Sequence, residues 1–270
     1  MPLKPLVATQ ITYRSPWFWG IPVAALSAML LISITGSNQS LFRELNELLY
    51  FRPEAVWLNI TLFGDAAMVM VLLLPLVNRH PDIIVKGFIA ALVGAVILLG
   101  IKQLLMLPRP PAVLESGSFH QIGNLFTQAS FPSGHSGAAF TLATIIIFML
   151  NDVRIRSLVL AYAILIALSR IAIGAHWPMD ILGGAFFGWL ATFLSMYLIP
   201  VTGRNRWAQR IFTLLLLFAV IHLVFLHKAG DTEARILEVL IPIICFLLSL
   251  KGLKSLYLDP VITKIKATGH

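Results

Sequence analysis

The chain has 270 residues, 58% of them hydrophobic and only 12% charged, with a formal net charge of +8. A typical soluble protein is about 25% charged, so a chain of mean hydropathy +0.87 has too little polar surface to face water on all sides. A water-soluble enzyme is excluded, and the basic balance reads as loop charge at a membrane rather than nucleic-acid binding.

Eight apolar segments are predicted to cross a bilayer, at about 17–35, 55–77, 83–104, 134–150, 156–173, 178–199, 210–227 and 236–250. Most approach the roughly 20 residues that span about 30 Å of hydrocarbon. The first follows Lys4 and Arg14 but has no A-x-A-like cleavage site, so it is read as a retained helix and not a signal peptide. The fifth and eighth are short, as tilted or partly interfacial helices are. Cys245 stands alone in an apolar run, and cysteine usage is silent on compartment.

Cation placement orients the bundle. With the N-terminus inside, the outer segments hold Arg43, Arg52, Lys102, Arg109, Arg170, Lys228 and Arg235, and the other thirteen of the twenty basic residues fall inside. Both termini are therefore expected in the cytoplasm. In the first outer loop, "SLFRELNELLYF" places Leu41, Leu45, Leu48 and Leu49 on one helical face. It reads either as a helix lying on the membrane surface or as a cap over the bundle.

Polar residues gather in three stretches at the outer ends of spans: Lys102 to Pro110, Phe131 to Ser136, and Ser169 to Asp180. Lys102 and Arg109, each taken alone, read best as cations snorkelling at an interface. Ser133 and Gly134 begin a helix, whose free N–H groups attract anions; an ordinary serine N-cap explains Ser133 equally well, but not His135. Pro178 suits a first helical turn, so His176 and Asp180, four residues apart, meet across a helix start. A carboxylate on one imidazole nitrogen leaves the other free as a nucleophile, although such a pair also occurs as structure alone. Taken together, three cations, a helix N-terminus, a histidine–aspartate pair and a second histidine suit phosphoryl transfer. No ligand spacing for a metal is present, and no cofactor is expected.

These stretches resemble the three-part signature of the type 2 phosphatidic acid phosphatase superfamily: K-x6-RP from Lys102 to Pro110, PSGH from Pro132 to His135, and SR-x5-H-x3-D from Ser169 to Asp180. Every signature position matches, and the resemblance covers about residues 55–200. It implies an all-α polytopic transmembrane bundle, with a six-helix phosphatase core over 17–200, a cytoplasmic N-terminus over 1–16, and an additional helix pair and tail over 201–270. It further implies that His176 is the nucleophile that forms a phosphohistidine. Asp180 would orient it, and His135 would be the general acid. Lys102, Arg109, Ser133, Gly134 and Arg170 would bind the phosphate, and no metal would take part. Only Asp180 separates the two histidines on residue grounds.

The expected function is removal of a terminal phosphate from a membrane lipid phosphate or pyrophosphate, at the periplasmic face of a bacterial inner membrane. Undecaprenyl pyrophosphate, phosphatidylglycerol phosphate, phosphatidic acid and lipid A phosphates are the candidate substrates. A lipid phosphotransferase using the same site is the near alternative, and a non-catalytic lipid transporter is the distant one. The paired His176 and Asp180, with His135, favour catalysis. Outside the motifs, Asp65 lies about 13 Å from the end of its span at 1.5 Å per residue, and reads either as functional or as structurally paired. Glu115, His120 and Gln121, in the long outer loop, are read as solvated loop residues with substrate selection as the alternative, and Gly184 and Gly188 as a helix-packing face. His80, His222, His227 and His270 are given no role.

Overall fold

Capping residues mark where the helices start. In a computed structural model of the protein, described for residues 11, 13–50, 53–123, 126–197, 205–227 and 234–258, the Ser15 hydroxyl accepts the Trp17 N–H at 3.3 Å and opens α1 (Pro16–Thr35). Gly36 closes it at φ 65°. There follow α2 (Asn38–Leu49), α3 (Ala55–Leu62), α4 (Ala66–Leu72) with a 3-10 extension over Leu74–Asn78, α5 (Pro81–Leu105) and the single turn α6 (Pro110–Val113). The chain then forms α7 (Gly134–Met149), α8 (Val153–Ala172), α9 (Pro178–Tyr197), α10 (Arg206–Ile221) and α11 (Arg235–Leu253). Asp152 caps α8 through the N–H groups of Arg154 and Ile155, and Asn205 caps α10 through those of Trp207 and Ala208. Among the described residues there is no strand.

Six helices are long and apolar enough to cross a membrane, and a bent pair, Ala55–Leu62 with Ala66–Asn78, makes a seventh candidate; Gly134–Met149 is apolar but shorter. The protein is an all-α integral membrane protein. Its centre is α7, twelve of whose sixteen residues are buried. On one side α7 shares an apolar cluster with α1, α8 and α9, including Phe18, Phe148, Ile171 and Trp189. On the other side a second cluster joins it to α4, α5, α10 and α11 through Met68, Ile84, Ile145, Leu216 and Cys245. The helix pair α10–α11 thus packs on the bent span and α5.

Missing side chains allow the close approach of α7 to α9. A Cβ on Gly184 would stand 2.6 Å from the Ser133 carbonyl oxygen, and one on Gly188 would stand 2.5 Å from that of Gly137. The packing role expected of Gly184 and Gly188 is what the geometry displays. Gly184→Val is expected to force the two helices apart and destabilise the fold by about 2 kcal/mol, the scale of overpacking in a dense core. Thermal unfolding in detergent measures it, and an unchanged midpoint would contradict the close fit.

Three features depart from the sequence expectation. The segment 55–77 is not one continuous helix but breaks by 65° between Leu62 and Ala66. Asp65 caps the second half, its carboxylate accepting the N–H groups of Ala67 and Met68 at 2.8 and 3.2 Å, while the Phe63 carbonyl at the break accepts the Tyr162 hydroxyl at 2.5 Å. Asp65 is therefore a structural cap within its own span, with no partner required from another helix. The two segments expected to be short are not: α8 has 20 residues, and α11 has 19 before a π turn over Lys254–Leu258. Charges at their ends, Arg154 and Lys251, shorten the apolar run without stopping the helix. Finally, α2 buries Phe42 and Asn46 and packs Leu45 and Leu49 on the core beside Phe42, while Leu48, 78% exposed, points away, so it caps the bundle and its leucines are split between two faces. Lys4, Arg52, Arg204, Lys228, Lys264, Lys266 and His270 lie outside the described residues.

A buried carboxylate that composition does not reveal ties the last two helices together. Glu238 accepts Arg235 Nη1 at 2.6 Å and contacts His227 Nδ1, with its side chain fully buried. This gives His227 a structural partner at the α10–α11 connection.

Candidate active site

The three polar stretches converge at one end of the bundle, and backbone hydrogen bonds join them. Arg109 N–H donates to Thr127 O at 2.8 Å, Ser130 N–H to Leu107 O at 2.9 Å, and Ser133 N–H to Asp180 O at 2.9 Å. The Trp177 indole donates to Pro108 O at 2.9 Å, and the Ser136 hydroxyl to Ile181 O at 2.7 Å. Short-range helix starts are thereby set against one another over long sequence distances.

The start of α9 makes the histidine–aspartate pair. Asp180 is the third residue of the helix, and its Oδ2 accepts the backbone N–H of Trp177 at 2.9 Å, as the acidic member of a capping box does. The same oxygen accepts His176 Nδ1–H at 3.2 Å and the Ser130 hydroxyl at 2.5 Å. Both side chains are almost fully buried. Donation from Nδ1 leaves the lone pair on Nε2. Burial, followed by the positive charge of Arg170, Arg109 and Lys102, holds His176 neutral well below the ordinary imidazole value of 6.5. A neutral imidazole is the form that can act as a nucleophile.

The cations are aimed by carbonyl groups. Arg109 Nε donates to Gln128 O at 2.9 Å, and Lys102 Nζ to Ala129 O at 2.5 Å, which leaves further donors on both groups for a ligand. Arg170 Nη1 donates to Thr61 Oγ1 at 2.5 Å, while its buried Nε has no partner among the described residues. Ser133 is the N-cap of α7, its hydroxyl facing Ser136 N–H at 3.5 Å. The N–H groups of Gly134 and His135 stand in the first turn, where no carbonyl of the helix reaches them. His135 lies beside the break in the second span: a Cβ on Gly64 would come within 3.0 Å of its own Cβ. Three cations against the single carboxylate Asp180 give the cluster a surplus of positive charge that suits a phosphate carrying about −1.5 to −2.

All eight residues singled out from the sequence thus lie at one end of the bundle. Residues that the sequence reading missed support them: Ser130 on Asp180, Thr61 on Arg170, and Asn46 of α2. Asn46 Nδ2 donates to Ile171 O at 2.9 Å, and its Oδ1 accepts His120 N–H at 2.8 Å. His120 is no mere loop residue: it pairs with Glu47 at 2.7 Å and stacks on Tyr50. Among the described residues, no group of three histidine, cysteine, aspartate or glutamate side chains gathers as a metal site. Ser130→Ala removes one donor to the buried carboxylate. A hydrogen bond to a charged group is worth about 1.5–3 kcal/mol, so turnover is expected to fall about tenfold or more, measured as phosphate release by the purified variant.

Comparison with known proteins adds to this geometry. The family model described as PAP2 superfamily matches residues 84–204. A lipid A 1-phosphatase of Rhizobium etli is 30% identical over 67% of this chain and 83% of its own. The crystal structure of Aquifex aeolicus LpxE superposes with a TM-score of 0.54 at 28% identity, over 58% of this chain and 93% of that one. A PAP2-type phosphatidylglycerolphosphate phosphatase from Bacillus subtilis gives a TM-score of 0.43 at 21% identity, over 64% of this chain and 93% of that one.

Proposed function

The chain belongs to the PAP2 superfamily and is a lipid phosphatase of that type; from this premise we propose that it hydrolyses its lipid phosphate through a phosphohistidine, at the periplasmic face of a bacterial inner membrane and without a metal ion. The observation that carries the reading is the buried His176–Asp180 pair facing a cluster of three cations.

In the proposed reaction, Lys102, Arg109 and Arg170 hold the phosphate oxygens, together with the N–H groups at the start of α7. His176 Nε2 attacks phosphorus, and the bond from phosphorus to the lipid oxygen breaks. His135 gives its proton to that oxygen, releasing the lipid alcohol. The resulting imidazolium of His176 is stabilised by Asp180 through Nδ1–H. Water then attacks the phosphohistidine, His135 takes up its proton, and inorganic phosphate leaves. The cations carry the charge of the transferring group, which is the task a metal performs elsewhere.

What supports the orientation is the excess of lysine and arginine in the sequence segments expected inside. Among substrates, a lipid A 1-phosphate is the first to test, given the named activity of the Rhizobium etli relative. Purified protein in detergent should release phosphate from at least one member of a panel containing lipid A 1-phosphate, undecaprenyl pyrophosphate, phosphatidylglycerol phosphate and phosphatidic acid, with a chelator present. Loss of release on adding chelator would remove metal independence from the proposal. Recovery of the phosphate on an added lipid acceptor, in place of free phosphate, would make the enzyme a transferase.

A further inference from the structure

The α8–α9 connection, Ile173–Trp177, carries His176, and a side chain of α2 meets it at each end. The last carbonyls of a helix and its first N–H groups have no partner within the helix. At the end of α8, Asn46 Nδ2 donates to Ile171 O at 2.9 Å and to Ala172 O at 3.2 Å. At the start of α9, Asn38 Oδ1 accepts the Met179 N–H at 3.1 Å. Between them Phe42, fully buried, packs edge-on against the Trp177 ring at 5.1 Å. Trp177 follows His176 directly, and its indole reaches Pro108 O beside Arg109.

Asn38, Phe42 and Asn46 stand at intervals of four residues and so form one stripe of α2. From first to last the stripe runs about 12 Å at 1.5 Å per residue. The helix thus lies across the turn between two others and is bonded to both sides of it. The segment before α7 locks the arrangement. His120 gives its N–H to Asn46 Oδ1 at 2.8 Å and accepts Asn46 Nδ2 on its carbonyl at 3.0 Å. That carbonyl lies against Gly174, where a Cβ would stand 2.7 Å from it and where φ is 78°. Ile122 N–H adds a bond to Ile173 O at 3.1 Å. Asn46 is 1% exposed, and an unmade hydrogen bond at such a depth is costly. Its amide therefore ties the end of α8 and the His120 backbone to a single point.

We propose that α2 is a splint across the α8–α9 connection, and that Asn38, Phe42 and Asn46 are positioning residues that keep His176 Nε2 in line with the phosphate. The proposal rests on the lipid phosphatase reading. It gives a part in the reaction to a helix outside the family match, which begins at residue 84. Lys102 and Arg109 take their anchors elsewhere, on Ala129 O and Gln128 O, so the splint acts on the nucleophile more than on the grip of the phosphate.

Asn46→Ala and Asn46→Asp test it in the purified protein. Aspartate has the shape of asparagine, but its carboxylate cannot donate to the carbonyls. A misplacement of 1 Å far from the chemistry can cost about 10²-fold, and both variants are expected to lose about tenfold in kcat per active site, with KM for the lipid phosphate within about threefold. Active sites are counted by the phosphoenzyme formed on brief exposure to substrate. Leu48→Ala, on the exposed side of α2, should keep both values. Full kcat in Asn46→Asp beside a loss in Asn46→Ala would mean that filled volume is what counts, and would overturn the positioning role. A lower thermal midpoint and fewer active sites, with kcat per site unchanged, would make α2 a support of the fold only. Hydrogen exchange gives a reading independent of turnover. The amides of Gly174, Ala175 and His176 donate to Ile171 O and Arg170 O. They should exchange about tenfold faster in Asn46→Ala, while those of α7 keep their rate. That result supports the splint even if no lipid phosphate is hydrolysed, in which case the phosphatase reading alone fails. Unchanged exchange and unchanged kcat in an active enzyme would sink the splint and leave the phosphatase reading standing.

Discussion

His176→Ala is expected to abolish phosphate release, by at least about 10³-fold, since positioned nucleophiles and proton-transfer groups contribute effects of this size or larger. The imidazole is buried at 2% exposure, held neutral by its surroundings, and fixed by Asp180 so that Nε2 carries the lone pair. Alanine removes the atom that would bond to phosphorus, and water would then have to displace the lipid directly. The phosphate should still bind, because Lys102, Arg109 and Arg170 keep their anchors on Ala129 O, Gln128 O and Thr61 Oγ1. Acid-sensitive, base-stable radiolabelled phosphoenzyme should form in the wild type on brief exposure to substrate and be missing in the variant. Near-normal turnover by His176→Ala would remove the nucleophile from the proposal.

Asp180→Asn should also be strongly damaging while leaving the fold intact. The asparagine carbonyl, at the place of Oδ2, can still accept both Trp177 N–H and His176 Nδ1–H, so the start of α9 and the tautomer of the imidazole are kept. What is lost is the negative charge beside the imidazolium that forms as Nε2 bonds to phosphorus. Removing one preorganised group that stabilises charge developing in a transition state costs about 10²–10³-fold. The expected result is a fall in kcat of about 10²–10³-fold, with KM for the lipid phosphate and the thermal midpoint in detergent close to those of the wild type. A small effect on kcat would mean that Asp180 serves the helix cap and not the imidazole.

Together, the two substitutions separate the two uses of one carboxylate. Asp180 is at once the capping residue of α9 and the partner of His176, and its oxygen also takes the Ser130 hydroxyl. The helix start and the imidazole are therefore held by the same atom. This economy suits a site at a membrane boundary, where each buried charge must be satisfied locally.

The sequence by itself determined the membrane class, the places where most helices begin, and which charged residues gather at one end of the bundle. It could do so because charges are costly in apolar surroundings, so Lys102, Arg109, Arg170, His176 and Asp180 stand out, and because caps such as Ser15, Asp152 and the Trp177–Pro178 start act within a few residues. Tertiary structure alone decided the rest. The break at Phe63–Asp65 lies in a stretch whose overall hydropathy reads as one continuous span, and its freed carbonyl is satisfied by Tyr162, 99 residues away. Ser130, Thr61 and Asn46 are ordinary residue types whose importance comes from partners 50, 109 and 125 positions distant. The cavity lined by Lys102, Gly134, His135 and the small residues of α5 has no sequence signal of its own, because a void is the space left by side chains of several helices, and only their packing creates it.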